Sequence, residues 1–231
     1  MATVVDRVWT AAGAHSVTLD GTGLPDGVYS VVVSARTPGG TEVVQSLPLT
    51  VSRTLGLVSI APSSFSPNGD GRADRLAIGF MLNAPATVTV KVLREGRWVA
   101  SLLQPTTFAA GPERVVWDGS RSVGTLADGT FSAVVEVTDE VGTVTFATPF
   151  VVDTTAPRLS LLPGRRLRVE VSEPVTLKIW VNGQLQSREI QRARVLVIPW
   201  AEPVRRVRAV AWDSAGNVSA PAVWRSGSGR G

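Results

Sequence analysis

Short runs in which apolar and polar residues alternate recur about every 8 to 12 positions along the chain, separated by clusters of Gly, Pro, Asn and Asp. YSVVVSA (29–35), TVTVKVL (87–93), SAVVEVT (132–138), LRVEVS (167–172), VTLKIWV (175–181) and VRAVAW (207–212) each read as a strand. A period of two sends one set of side chains to a buried face and the other toward solvent. REGR at 94–97, DEVGT at 139–143, NG at 182–183 and DSAGN at 213–217 supply hairpin turns, since Gly and Asn accept the positive φ that tight turns require. Helix signals are nearly absent. The pattern predicts an all-β chain built of antiparallel sandwiches.

Internal repetition sets the number of units. AAGAHSVTLDG (11–21) aligns with AAGPERVVWDG (109–119), LPDGVYSVVVSA (24–35) with LADGTFSAVVEV (126–137), and Pro48 with Pro149. A third, shorter copy is more divergent: VSEPVTLKIWV echoes LNAPATVTVKV, and VAWDSAGNVSA echoes EVTDEVGTVTF. The boundaries fall near SRTLG (52–56) and VDTTAP (152–157), giving units over 1–55, 56–155 and 156–224 and a flexible tail over 225–231. The alignment leaves the first unit without a counterpart to residues 57–98, about half a sandwich, so an apolar face and a sheet edge are expected to lie uncovered there. On this reading the chain is the C-terminal part of a longer one, with further domains upstream.

Composition agrees with a folded chain. Of 231 residues, 44% are apolar and 18% charged, and there is no cysteine, so stability rests on burial without disulfides or thiolate metal sites. No apolar run reaches the length of a membrane-spanning helix, and MATVVDRVWTAAG lacks the regions of a secretory signal.

FSPNGDGRADRLAIGFMLNAPATVTVKVLREGRWVASL, followed by AAGPERVVWDG, LADGTFSAVVEVTD and VDTTAP, resembles the immunoglobulin-like domain of the bacterial flagellar hook-capping protein. The resemblance covers residues 57–155 and, as a second half, 1–54. The third unit resembles bacterial Ig-like modules that end in an AxDxAGNxS hairpin, matched by Ala211, Asp213, Ala215, Gly216, Asn217 and Ser219. These resemblances imply tandem Ig-like sandwiches, the first incomplete, of a kind used as spacers, adhesive modules and appendages of exported enzymes. They imply an extracellular or cell-surface location in a bacterium.

Candidate chemistry is sparse. In SFSPNGDGRADRL (64–76), Asn68, Asp70 and Asp74, with the Arg72 carbonyl, could ligate Ca²⁺. The same residues could instead build an Asx-stabilised turn; the absence of a closing bidentate Glu and the presence of Arg72 and Arg75 favour the turn. The seven tryptophans could form a sugar-stacking strip, but Trp117 aligns with Leu19, which points to the core; Trp180 and Trp212 are expected to be half-buried. His15 is the only histidine; with no partners for a triad or a zinc site, it is expected to be a solvated strand residue. Asp118 and Asp128 belong to Asp-Gly pairs matched by Asp20 and Asp26, and turn chemistry accounts for them. No phosphate loop or nucleophile elbow is present, so the chain reads as noncatalytic.

Charge separates the units. Residues 1–157 carry 10 Lys and Arg against 14 Asp and Glu, net −4, whereas 158–231 carry 13 against 5, net +8. Arg166 and Arg168, Arg192 and Arg194, and Arg206 and Arg208 occupy alternate positions, so if their strands share a sheet, six guanidinium groups form one surface. That surface is either a solvated face or a site for an anionic partner such as a cell-wall polymer or polysaccharide. A nucleic-acid role is disfavoured by the lack of a recognition helix or an aromatic RNA motif. Two functions follow: a structural or adhesive tandem module of a secreted or surface protein, or the ancillary attachment region of an exported hydrolase.

Overall fold

The structure, a computed structural model, describes residues 8–121, 126–162, 166–200 and 203–226. Residues 227–231 of the expected tail and 1–7 of the first unit lie outside the described residues. The described chain is all-β, with no helix. In order the strands are β1 (Gly27–Arg36), β2 (Glu42–Val51), β3 (Leu55–Ala61), β4 (Ser64–Phe65), β5 (Leu76–Leu82), β6 (Ala86–Arg94), β7 (Arg97–Phe108), β8 (Gly111–Trp117), β9 (Gly129–Thr138) and β10 (Thr143–Val152). They continue as β11 (Leu159–Leu162), β12 (Arg168–Val171), β13 (Val175–Val181), β14 (Gln184–Ile190), β15 (Arg194–Val197), β16 (Arg206–Trp212) and β17 (Ala222–Arg225).

Two Ig-like sandwiches are complete. In the first of them, a three-stranded sheet ordered β3-β5-β8 packs on a five-stranded sheet ordered β4-β10-β9-β6-β7. Strict alternation makes the core: Leu76, Ile78, Phe80 and Leu82 from β5 meet Val88, Val90 and Val92 from β6 and Phe131, Ala133, Val135 and Val137 from β9. Phe65 lies in an aromatic cluster with Trp117 and Phe150, at centroid distances of 5.7 and 5.9 Å. Trp117 is buried and donates its indole N–H to the Ser120 carbonyl, which confirms its core role. Each fully buried side chain of this size contributes about 1.5–3 kcal/mol.

The second complete sandwich repeats the plan in reduced form. Its sheets run β11-β12-β15 and β14-β13-β16-β17, matching β3-β5-β8 and β7-β6-β9-β10 strand for strand, with no equivalent of β4 among the described residues. Its core joins Val169 and Val171 to Leu177, Ile179, Val207, Ala209 and Ala211. The β13–β14 hairpin turns on Asn182 and Gly183, both at positive φ (51° and 91°), as the NG pair requires. Trp180 and Trp212 are half-buried on the outer face of this sheet.

Among the described residues, the first unit consists of one hairpin. β1 and β2 pair only with each other among the described residues, in the register of β9 and β10: Gly27 faces Val51 as Gly129 faces Val152, and Tyr29 faces Leu49 as Phe131 faces Phe150. What differs is cover. Val33 is 55% exposed where its counterpart Val135 is 0%, because the sibling hairpin is packed under β5 and β6 and this one is not. Residues 13–19 align with β8, yet no strand is formed there. β8 exists by pairing with β5, and a strand without a ladder partner leaves its backbone groups to water.

Among the described residues, neither core takes a side chain from before Leu55. Removing residues 1–51 is therefore expected to leave the melting transition of the two complete sandwiches within about 0.5 kcal/mol of its original stability. The same truncation should reduce self-association, since it removes the exposed Val33, Val43 and Leu47 face; sedimentation velocity at increasing concentration checks the second effect and calorimetry the first.

Candidate functional site at the junction of the complete sandwiches

The loop 66–74 is a knot of side-chain-to-backbone bonds. Asn68 Oδ1 accepts the Asp70 N–H (3.0 Å), Asp70 Oδ1 the Arg72 N–H (2.9 Å), and the two Asp74 oxygens the N–H groups of Gly69 (2.8 Å) and Gly71 (2.6 Å). Asn68 and Asp70 thus form successive Asx turns, and Asp74 closes the loop back onto Gly69 and Gly71, both at positive φ. The same oxygens are the ones a cation at this loop would need.

The loop has a second partner, supplied by the last hairpin of the third unit. Asn217 is 2% exposed and every polar atom of its carboxamide is engaged: Nδ2 donates to the Asp153 carbonyl (2.8 Å) and to Asp213 Oδ2 (2.8 Å), while Oδ1 accepts from Asn68 Nδ2 (3.2 Å). Gly216 beside it has φ +89°, and a Cβ there would stand 3.3 Å from the Ala73 Cβ, so any larger residue would strain the backbone and press on the loop. Asp213 Oδ1 caps the same turn by accepting from Ala215 N and Asn217 N, and Ser219 Oγ accepts the Ala211 N–H. The AxDxAGNxS pattern therefore has a double use: its Asp and Ser close a hairpin, and its Gly and Asn join that hairpin to the preceding sandwich.

At the same junction the carboxylates of Asp153, Glu173 and Asp213 each place an oxygen within 4.8 Å of the others. Burial raises the Asp153 carboxyl above its ordinary value, and the charges of Asp213 and Asp128 push the same way. Burial also raises Glu173, with Asp153 and Asp213 adding repulsion. Sequence reasoning missed this group because its members lie far apart in the chain, in a linker, a bend and a hairpin.

The Asp-Gly pairs divide into two roles. Asp20 and Asp118 make the expected Asx turns, accepting from Thr22 N and Ser120 N. Asp26 and Asp128 instead reach the linkers that follow their units. Asp26 accepts the Arg53 N–H (2.9 Å) and pairs with its guanidinium; Asp128 accepts the Thr154 N–H (2.9 Å) and both threonine hydroxyls of Thr154 and Thr155. Asp139 likewise holds the first linker, accepting from Ser52 Oγ (2.9 Å) and Thr54 Oγ1 (2.6 Å).

The six arginines do not make one surface. Arg168 lies on the outer face of β12, in the three-stranded sheet, whereas Arg206 and Arg208 lie on the outer face of β16, in the opposing sheet. Arg194 faces the buried Val171 across the β12–β15 ladder and has the parity of buried Leu196, so it sits on the inner side at the strand's exposed end. Arg166 and Arg192 precede their strands. The expectation failed because alternate spacing specifies a side of one strand but not which sheet that strand joins.

What the four-stranded sheet does present is a different basic group. Arg206 stands opposite Arg225, Arg208 lies 5.0 Å over the Trp180 ring, and Lys178 lies 5.0 Å over the Trp212 ring. Elsewhere, a cleft of about 530 Å³ is lined by Arg75, Ser101, Trp117, Asp118, Ser120 and Arg121, among others. Hydrogen bonds from Ser120 hold the Asp118 carboxyl below its ordinary value, so it is a weak base, and no histidine lines the cleft.

No family model and no curated protein matches the chain. Among solved structures it is similar to the fibronectin(III)-like modules of Clostridium thermocellum CbhA (14% identity, 72% of this chain and 92% of that one, TM-score 0.37). It is similar also to a tetra-tandem repeat in the extending region of a large adhesion protein (17%, 91% and 59%, TM-score 0.32) and to the Salmonella enterica SafA pilin in complex with the SafB chaperone (11%, 74% and 96%, TM-score 0.30). No helix among the described residues is long and apolar enough to cross a membrane.

The linker carboxylates make a pH prediction. Asp139 is held below its ordinary value by the Thr54 hydroxyl and then Ser52; at Asp128 burial opposes, but the bonds from Thr155 and Thr154 prevail. A lowered folded-state pKa adds stability that is present above the unfolded value, 3.8, and is lost as pH falls through the folded one. Acidification from about pH 5 to about pH 2 should lower the Tm, and Asp128→Asn with Asp139→Asn should flatten part of that decline, by on the order of 1 kcal/mol after allowance for solvent screening.

Proposed function

We propose that the chain is a noncatalytic tandem Ig-like structural or adhesive module of a bacterial secreted or cell-surface protein, its middle unit of the hook-capping type. The observation that carries this reading is where the polar side chains are spent. Asp26, Asp128, Asp139, Asn68 and Asn217 bond to linkers or to the next unit, so these polar groups hold successive units in order. A spacer needs that restraint, whereas a catalytic carboxylate needs free lone pairs facing a substrate.

The test is small-angle scattering of the full chain beside Asp128→Ala and Asp139→Ala. Both variants should keep their far-ultraviolet spectrum while the distribution of interatomic distances broadens, as the linkers lose hydrogen bonds worth about 1 kcal/mol each. Unchanged scattering in both would remove the support for a restrained spacer.

The basic group on the outer face of the four-stranded sheet favours a second reading, in which the third unit attaches an exported hydrolase to an anionic wall polymer or polysaccharide. Arg206, Arg208, Arg225 and Lys178 supply charge there, and Trp180 and Trp212 supply ring surface. Such contacts are exposed and weaken as the Debye length shrinks from about 10 Å at 0.1 M salt to about 3 Å at 1 M. Retention on purified anionic wall polymer should be lost at high salt and in Arg206→Ser, Arg208→Ser, Arg225→Ser. It should persist in Arg168→Ser, Arg194→Ser; equal retention by both sets of variants would exclude this face.

A further inference from the structure

We propose that Asp153, Glu173 and Asp213, with the hydroxyl of Ser66, bind one divalent cation of the calcium type between the two complete sandwiches. The three carboxylates come from the linker after β10, the bend before β13 and the hairpin after β16, and each offers an oxygen within 4.8 Å of the other two. Ca²⁺ holds oxygens at about 2.3–2.6 Å; three oxygens within 4.8 Å of one another can share an ion at about 2.8 Å or less from each, so a contraction of a few tenths of an ångström completes the shell. The donors are all oxygen, which excludes a zinc site of the nitrogen and sulfur kind, and the looser shell of calcium suits ligands from three separate segments.

Lone pairs remain for the ion. Asp153 accepts the Thr155 N–H through Oδ1 and Glu173 accepts the Ser172 hydroxyl through Oε1, leaving Asp153 Oδ2 and Glu173 Oε2 unengaged. Asp213 is turned into the group by the bonds it accepts from Ala215, Asn217 and the Asn217 carboxamide. Among the described residues no arginine or lysine forms an ion pair with any of the three, whereas Asp26 is paired with Arg53 and Glu136 with Lys91. Three half-buried negative charges thus stand together without a counter-charge.

Ser66 points independently to a ligand. It is 0% exposed, and its hydroxyl has no hydrogen-bond partner. The parallel pairing of Ser64 with Val151 and Phe65 with Val152, continued by the bond from Asp153 N to the Phe65 carbonyl, sets Ser66 beside Asp153. Phe65 and Val152 both enter the core, so alternation sends the next two side chains to the other side, which the Asn217 hairpin covers. A buried hydroxyl left unpartnered is destabilising unless something binds it, and a cation held by Asp153 would do so. Burial first, and the neighbouring carboxylates after it, raise Asp153 and Glu173, and a bound ion would relieve the repulsive part.

The experiment uses the full chain freed of metal by chelation and then titrated with CaCl₂. Calorimetric titration should find one Ca²⁺ per chain, and excess Ca²⁺ should raise the Tm by roughly 5 °C, because the ion binds the folded junction only. Glu173→Gln should melt higher than the wild type without metal, having lost a repelling charge, and should lose most of the calcium shift. Ser66→Ala should bind several-fold more weakly. Asp70→Ala, in the neighbouring loop, should keep the full shift. The proposal is overturned by no binding to the wild type, by an undiminished shift in Glu173→Gln, or by a shift lost in Asp70→Ala and kept in Glu173→Gln, which would assign the ion to the loop instead. Should Glu173→Gln fail to fold, Asp153→Asn takes its place with the same expected and contrary results.

Discussion

A β-strand needs two kinds of neighbour, a ladder partner for its backbone and an opposing sheet for its apolar face, and this double demand governs the whole chain. Where both are met the alternation closes into a core: Val88, Val90 and Val92 of β6 lie against Ile78 and Phe80 of β5 with almost no exposure. Where they are not met, the same kind of sequence stops short. β1 and β2 carry the alternation of β9 and β10 and adopt their register, yet Val33 and Leu47 remain in water and residues 13–19 form no strand. One chain thus contains both outcomes for a nearly repeated sequence, and the difference traces to the presence or absence of the strands that supply cover.

The joining of units uses a second, polar set of interactions. The Asp of each LxDG motif leaves its own turn to hold the linker that follows, Asp26 at Arg53 and Asp128 at Thr154. At the last junction the arrangement is denser. Asn217 spends its carboxamide on Asp153, Asp213 and Asn68 at once, so its loss would unpair partners in two sandwiches. Buried amides with every atom engaged are specific devices, since a displaced partner leaves a desolvated group behind.

The junction also collects like charge. Hairpin closure requires Asp213, chain exit from β10 carries Asp153, and the bend before β13 carries Glu173; docking the two sandwiches brings all three together. A junction built only for stability would place a lysine or arginine there. The net +8 of residues 158–231 shows that cations are plentiful there, and the structure places Arg168, Arg194, Arg206 and Arg208 on outer faces and a strand end rather than at this group.

By itself the sequence determined the all-β class, the paired turns, the repeat and the uncovered first hairpin, because all of these are local: alternation, positive-φ residues and internal alignment need only neighbours along the chain. It determined, too, the core role of Trp117, through Leu19 at the aligned place. Only the tertiary structure decided which strands share a sheet, and with that the division of Arg168 from Arg206 and Arg208, which identical spacing could not reveal. It alone joined Asn68 to Asn217, and Asp153 to Glu173 and Asp213. These pairs are separated by tens of residues, and contact between them exists only once two independently alternating sandwiches have packed end against end.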